Sequence, residues 1–499
     1  MQLEFSRKSI RCLGCAVQEV KNVEVTQEIR LPDGMPDIGR VLISWGQIML
    51  RSKQWQAGTI ELAGGVKIWS MYIPEDGTQV RTVENWLPFQ LRWDANAAEK
   101  EGPVRMMPLL QFADSRGISA RKMMVRAGVA VMAQGLYPLE TEVRIPEDVP
   151  EDIQILKQTY PVWLPVEAGE KVFLIDEELD LADAGAAGGK LISYMVNPVL
   201  TECKVLSDKV VLKGCANLHM VFQDTEGRIQ NRDFDLNFSQ LADLDQSHGP
   251  EARADVRFGI TDLEADMNES GRMRVKCGMV AQYLVDDRHT LELAEDVFSH
   301  RRELKFEKSD LMIPAILEER TELMKGEQLL SGQHGQVADA RFYGDYPRIR
   351  RVTDAVELDI PGVFQILWYG EDGLLQATTA RWQGSMSLPA DSDVSILPVV
   401  RTTGQVQVMT GPDGLVLGNT VQLQLRCEAG HALEMVSEIE AGVLREQEED
   451  RPSLILRRCG GETLWDIAKK TGSTVAAICD TNQITDQPGA ERMLLIPIL

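Results

Sequence analysis

The stretch Gly185-Ala-Ala-Gly-Gly-Lys190 has the residue types of a phosphate-binding loop, with glycines to bring backbone amides close and a lysine to meet charge. In such a loop Ser or Thr follows the lysine to hold magnesium. Leu191 stands there, so the spacing does not support phosphate chemistry. Nucleophilic hydrolysis needs a nucleophile, a base and an orienting group, and the six histidines, at 219, 248, 289, 300, 334 and 431, sit in no such motif. His219 and His289 lie in or beside extended runs and are expected to be satisfied strand residues. Cys12-Leu-Gly-Cys15 is a close cysteine pair, but the other six cysteines, at 203, 215, 277, 427, 459 and 479, are scattered. A structural zinc site wants a second close pair or a Cys/His group, so cytosolic thiols are expected instead. With no dinucleotide fingerprint either, the chain reads as a non-enzyme with no catalytic residue, no cofactor and no metal.

Binding chemistry is concentrated in residues 452–499. Leu454-Ile-Leu456, Gly460-Gly-Glu-Thr-Leu-Trp-Asp-Ile-Ala468, Ser473-Thr-Val-Ala-Ala-Ile-Cys479 and Leu494-Leu-Ile-Pro497 read in order as strand, helix, helix and strand. Thr463 can accept from first-turn amides while Asp466 reaches back, Gly472 ends the first helix, and Thr474 starts the second. The pattern resembles the LysM module, a small βααβ domain. That resemblance implies binding of N-acetyl sugar polymers or, in some members, of proteins. It places the binding surface on two loops, Gly461, Glu462, Thr463 and Leu464 before the first helix and Asn482, Gln483 and Ile484 after the second. The chain departs from the family at Glu462, where Asp is usual, at Gln483, where Pro is usual, and at Glu491-Arg492, where Gly-Gln is usual. Helical spacing makes Trp465, Ile467, Val475, Ile478 and Leu494 core positions.

What positions this module is a much larger body. At 499 residues the chain exceeds one core, and 44% hydrophobic content allows several. No apolar run is long enough for a membrane span, and the first ten residues lack an apolar signal region, so a cytosolic protein is expected. A net charge of −24, from 76 acidic and 52 basic side chains, opposes the phosphate neutralisation that nucleic acid requires. Nucleic acid is therefore not an expected partner.

Upstream, the chain repeats itself. A shift of 150 places lays Leu31 on Leu181, Asp33 on Asp183, Gly64 on Gly214, Tyr72 on Phe222 and Asp76-Gly77 on Glu226-Gly227. A third copy aligns Tyr369 with Phe222 (369 − 222 = 147) and Asp372-Gly373 with Glu226-Gly227 (372 − 226 = 146). A second block in each copy joins a turn-like stretch (Asp114–Gly117, Asn268–Gly271, Gly411–Gly414) to an extended run. Alternation in Arg272–Cys277 and Val421–Cys427 is that of half-buried strands. The expected fold is mainly β: three antiparallel β domains with their own small cores, at 1–160, 161–318 and 319–443. An acidic linker is expected at 444–451, within a solvated stretch from Glu438 to Arg451 that tethers the α+β module at 452–499.

Thr26–Val41, with its Leu-Pro-Asp-Gly-Met-Pro-Asp core, followed by Gly64-Gly-Val66, Tyr72 and Leu87-Pro-Phe89, resembles the SPOCS repeat of endospore-forming Firmicutes. Pro32 and Pro36 exclude an interior strand, so this opening is expected to be a structural corner. SPOCS repeats followed by LysM resemble the architecture of spore envelope morphogenetic proteins. What the resemblance implies is a scaffold in the mother-cell cytosol at the forespore surface, whose LysM module docks onto the coat basement-layer ATPase. The alternative is a peptidoglycan-binding protein of cortex or cell wall.

Overall fold

The computed structural model describes residues 1–499 apart from 78, 96–100, 182–187, 315, 354, 390–393, 403–405, 430–432, 445–451 and 485–492. Unit 1 opens on β1 (Phe5–Arg30), continues as a meander of β2 (Ile38–Gln56), β3 (Thr59–Pro74) and β4 (Arg81–Asp94), and closes with β5 (Val104–Ser119) and β6 (Lys122–Pro146). Two three-stranded antiparallel sheets result, ordered β2-β3-β4 and β1-β6-β5. Unit 2 has the same plan in β7 (Ile153–Asp180), β8 (Lys190–Leu206), β9 (Lys209–Gln223), β10 (Ile229–Asp243), β11 (Arg253–Met267) and β12 (Arg272–Ser299). In unit 3 several strands are split in two: β13 (Arg302–Leu311) with β14 (Ile316–Ser331), β15 (Gln336–Gly344) with β16 (Arg348–Val352), then β17 (Ala355–Tyr369), β18 (Leu375–Pro389), β19 (Val394–Thr402) with β20 (Gln407–Gly411), and β21 (Gly414–Ala429) with β22 (Leu433–Leu444). The expected all-antiparallel, mainly β architecture is what the chain adopts. Among the described residues two short helices occur, both in the terminal module.

The repeat offsets fall on real turns. Tyr72, Phe222 and Tyr369 end or nearly end the middle strands β3, β9 and β17, and the turns after them place Gly77, Gly227 and Gly373 at φ of 66°, 84° and 72°. A side chain with a Cβ is strained there, which explains the glycine in each copy. The Pro-Asp-Gly opening is the corner between β1 and β2: Arg121 donates to the Pro32 carbonyl at 2.9 Å and Tyr72 Oη to the Pro36 carbonyl at 2.9 Å. Its counterpart at 182–187 lies outside the described residues.

Central strands are apolar on both faces because both are covered. Ala127 to Leu136 of β6 is buried without interruption, between β1 and β5 in its sheet and under β2 and β3. The first and last strands of each unit run on past the sandwich as a two-stranded ribbon; β7 and β12, the longest of these strands, have 28 residues each. Those ribbons pack on one another. Ile10, Cys12 and Val143 from unit 1 meet Val162, Leu164, Leu291 and Leu293 from unit 2 and Leu311 and Met435 from unit 3.

Several sequence expectations are corrected by this arrangement. The units do not keep separate cores, since the largest cluster combines Trp45 and Met49 of β2 with Leu218 and Phe222 of β9 and with Leu367 of β17. The expected boundaries fall inside elements: β7 runs through 160/161 and β14 through 318/319, while β13 pairs with β22. Asp114 to Gly117 is strand, the reversal coming after Ser119. Glu438 to Leu444 is not solvated linker but the end of β22, where Glu438 and Glu440 point outward and Ile439 and Ala441 inward. A count of charges hid that alternation; the rest of the expected linker, 445–451, lies outside the described residues.

Where the units meet, polar groups are buried. Asp339 on β15 is 1% exposed; its Oδ2 accepts from Trp45 Nε1 of β2 at 2.7 Å and from Arg341 Nε at 3.2 Å, while its Oδ1 lies 2.9 Å from His219 Nε2 of β9. One carboxylate thus joins all three units. His219 is a satisfied strand residue, as expected. A cleft of about 670 Å³ lies beside it, between β2, β8, β11, β15 and β19. All eight cysteines carry thiols; burial pushes that of Cys12 up to about 11 and that of Cys277 to about 12.

Candidate functional site

The terminal module folds as β23 (Leu454–Arg458), α1 (Leu464–Thr471), α2 (Val475–Asn482) and β24 (Met493–Pro497), with β23 antiparallel to β24. Both caps read from the sequence are present. Thr463 Oγ1 accepts from Asp466 N at 3.1 Å and Asp466 Oδ2 accepts from Thr463 N at 3.1 Å, while Gly472 closes α1 in the left-handed region. Thr474 caps α2 by accepting from Ala477 N at 3.1 Å. Replacing Thr474 with Ala should lower the module's stability by about 1 kcal/mol, readable as earlier exchange of its helix amides without loss of the upstream sheets.

The seven loop residues expected to form the binding surface differ in exposure and in internal contacts. Gly461, Thr463 and Gln483 are exposed and Glu462 is half-buried. Glu462 is held by Arg457 at 2.6 Å and Lys470 at 2.5 Å; its hydrogen bond with Lys470 leads the effects that keep its carboxyl below the usual range. Leu464 is buried in the module's core, and Ile484 packs against the same core. Asn482 is spent inside the domain: its Nδ2 donates to the Ile478 and Leu495 carbonyls and its Oδ1 accepts from Leu495 N at 2.8 Å, which pins β24 to α2. The polar surface of the two loops therefore reduces to Gly461–Thr463 on one side and Gln483 on the other.

Two features escaped the sequence reading. First, α1 is docked on the ribbon of unit 2. The Trp465 ring meets Phe298 edge-on at 4.7 Å, its Nε1 donates to Asp296 Oδ2 at 2.8 Å, and Lys469 Nζ binds the same carboxylate at 2.7 Å. Burial works against charge on Asp296, but Lys469 and Trp465 outweigh it and hold its carboxyl below the usual range. Trp465 is packing, as expected, yet two of its partners, Asp296 and Phe298, lie about 170 residues upstream. Second, the outward face of the β23–β24 sheet exposes apolar side chains, Leu454, Leu456, Met493 and Leu495 at 47%, 60%, 50% and 39%, with the exposed Arg458 at its edge, whereas Leu494 and Ile496 on the other face are fully buried. The signal was available, because Leu454-Ile-Leu456 facing a wholly apolar β24 in a two-stranded sheet must expose apolar side chains on one face.

Fold and site define a body of β repeats that carries a small βααβ module. The chain matches the family model of the SipL, SPOCS domain over residues 189–268 and that of the LysM domain over residues 461–489. The first match spans β8 to β11 of unit 2; the second starts at the loop before α1. Both families are those the sequence motifs resembled, in the same order. Together they support a sporulation-related protein with peptidoglycan-binding potential, and the two matched domains are of kinds that bind rather than catalyse. Neither curated proteins nor solved structures return a match to the chain. Among the described residues no group of His, Cys, Asp and Glu is arranged to hold a metal, and no helix is long and apolar enough to cross a membrane.

Proposed function

We propose that the chain is a non-enzymatic scaffold of the endospore envelope, working in the mother-cell cytosol at the forespore surface, whose LysM module docks onto a protein, the coat basement-layer ATPase. The observation that carries this reading is the apolar face formed by Leu454, Leu456, Met493 and Leu495. Contiguous exposed apolar side chains mark protein contacts, whereas a sugar polymer is met by hydrogen bonds and exposed aromatic faces. Trp465, the aromatic of α1, is turned inward onto Phe298. On this reading the β units, divided near 147–152 and 300–301, form the body that presents the face.

A second reading, peptidoglycan binding, is favoured by the exposure of Gly461, Thr463 and Gln483 at the loops that form the glycan groove in LysM relatives. Capture assays separate the two. Full-length protein should be retained by the ATPase; Leu456→Asp should weaken that retention at least tenfold, about 1.4 kcal/mol, and truncation at Arg451 should abolish both it and forespore localisation in fluorescence images. Retention by purified peptidoglycan, without the ATPase and insensitive to Leu456→Asp, would replace the first reading with the second.

A further inference from the structure

In a chain of net charge −24, arginines gather at the junction of the three units. Positions 105, 255 and 401 correspond by the repeat offsets (255 − 105 = 150; 401 − 255 = 146) and hold Arg, Asp and Arg on β5, β11 and β19. Arg105 Nη2 donates to Asp255 Oδ2 at 2.6 Å and Arg105 Nη1 to Gln134 Oε1 at 3.0 Å. Arg257 holds the same Asp255 through Nε at 3.1 Å and Nη2 at 2.8 Å, and Arg401 Nη2 donates to the Val256 carbonyl at 2.9 Å. Arg426 of unit 3 is fixed by Asp286 at 2.7 Å.

Arg105, Arg257 and Arg426, 3%, 7% and 7% exposed, wall a cavity of about 10 Å³. That is room for roughly one water-sized sphere. Facing them in the wall are two carboxylates, Asp255 and Glu319, so cationic groups exceed anionic ones there by three to two. Among the described residues, Arg105 Nε and Arg257 Nη1 have no hydrogen-bond partner. Burial, with the nearby Arg257 and Arg426 charges, pulls the Arg105 guanidinium down against the pull of Asp255. Orphaned donors on buried cations are costly, and here the two arginines that carry them line one small void.

The geometry points to a binding site for a monoatomic, halide-sized anion in this cavity, accepting from Arg105 Nε and Arg257 Nη1 and tying units 1, 2 and 3 together through Arg105, Arg257 and Arg426. A monoatomic anion asks only for donors, and Arg105 and Arg257 each have one without a partner among the described residues. A water would also have to place two hydrogens, and Asp255 already accepts from Arg105, Arg257 and, at 3.5 Å, Gln424.

The test uses the full-length chain. Its thermal midpoint should rise by about 2–4 °C, saturably, on titration with sodium chloride or bromide, and not with sodium gluconate at the same ionic strength. Arg105→Met should abolish the halide-specific part. If that variant does not fold, crystals of the wild-type protein grown with bromide decide alone, with one anomalous peak expected between Arg105 and Arg257. Identical midpoints in halide and gluconate, or an ordered water only and no bromide peak at that position, would overturn the site.

Discussion

Asp339→Ala should cost about 3–5 kcal/mol of stability, measured as a lower urea midpoint followed by tryptophan fluorescence. The size follows from what the carboxylate leaves behind. Arg341 is 9% exposed, and its other contacts are Nη1 against Met195 Sδ at 3.2 Å and an Nη2 without partner among the described residues. Without Asp339 that cation is buried and uncompensated, and Trp45 Nε1 loses its acceptor. Adding Arg341→Met to Asp339→Asn should recover part of the loss, because removing both members of a buried pair costs less than removing one. A double variant no more stable than Asp339→Asn alone would show that the two side chains do not depend on each other.

The same cluster sets a pH dependence. Burial and the Arg341 charge favour neutral His219, but the Asp339 and Asp233 carboxylates outweigh them and raise its pKa above the ordinary value. A raised histidine stabilises fully below its unfolded pKa, near 6.5, and that contribution is lost as pH rises through the folded value. Asp339 is opposed by burial, yet Arg341 and His219 drive its pKa well below the usual range. Its contribution is present above roughly pH 4 and lost as pH falls through the folded pKa. The cluster therefore stabilises most between about pH 4 and 6.5, and Asp339→Asn should flatten the alkaline arm of the stability profile.

Much of the fold was legible because its punctuation is local. Gly77, Gly227 and Gly373 announce the same left-handed turn in each unit, and Thr463, Gly472 and Thr474 announce the two helices. The junction was not legible for a physical reason. Arg105, Asp255, Asp339 and Arg341 stand in alternating strands, where a charged residue ordinarily marks the solvent face. Each is buried because an edge from another unit covers it, and the contacts span 120 to 294 residues, as from His219 or Trp45 to Asp339. The ribbons were missed for a related reason. Strands of 25 to 28 residues contain no turn signal at the point where they leave the sandwich, and typical strand lengths of about 5–6 residues give no cause to extend them. At the module, capping chemistry located the loops, but whether a loop side chain faces water or is used internally, as with Asn482, depends on β24, which lies beyond α2.

Trp465→Ala should unfold the terminal module, or cost it about 3–5 kcal/mol, whereas Asp296→Ala should only release it. The indole serves two contacts at once: it lies in a core with Leu464, Ile467, Ile478 and Leu494, and it reaches out to Phe298 and Asp296. Asp296 belongs to unit 2 and touches the module only through Trp465 Nε1 and Lys469 Nζ among the described hydrogen bonds. Removing it leaves Trp465 Nε1 without its acceptor, at about 1–3 kcal/mol, returns the exposed Lys469 ammonium to water, and leaves the module's caps and core untouched. Hydrogen exchange should then show α1 and α2 protected as in the wild type, while small-angle scattering shows a larger maximum dimension. Unchanged scattering in Asp296→Ala would mean that the Phe298–Trp465 contact alone suffices for docking. The two variants also bear on partner capture. The apolar face of β23–β24 is formed within the module, so Asp296→Ala should still bind through it, and Trp465→Ala should not. Docking then decides orientation: a module held on the ribbon presents Leu454 and Leu456 in a fixed direction relative to the three β units, while a released one presents them over a wide range and loses the gain in effective concentration that a second, pre-aligned contact provides.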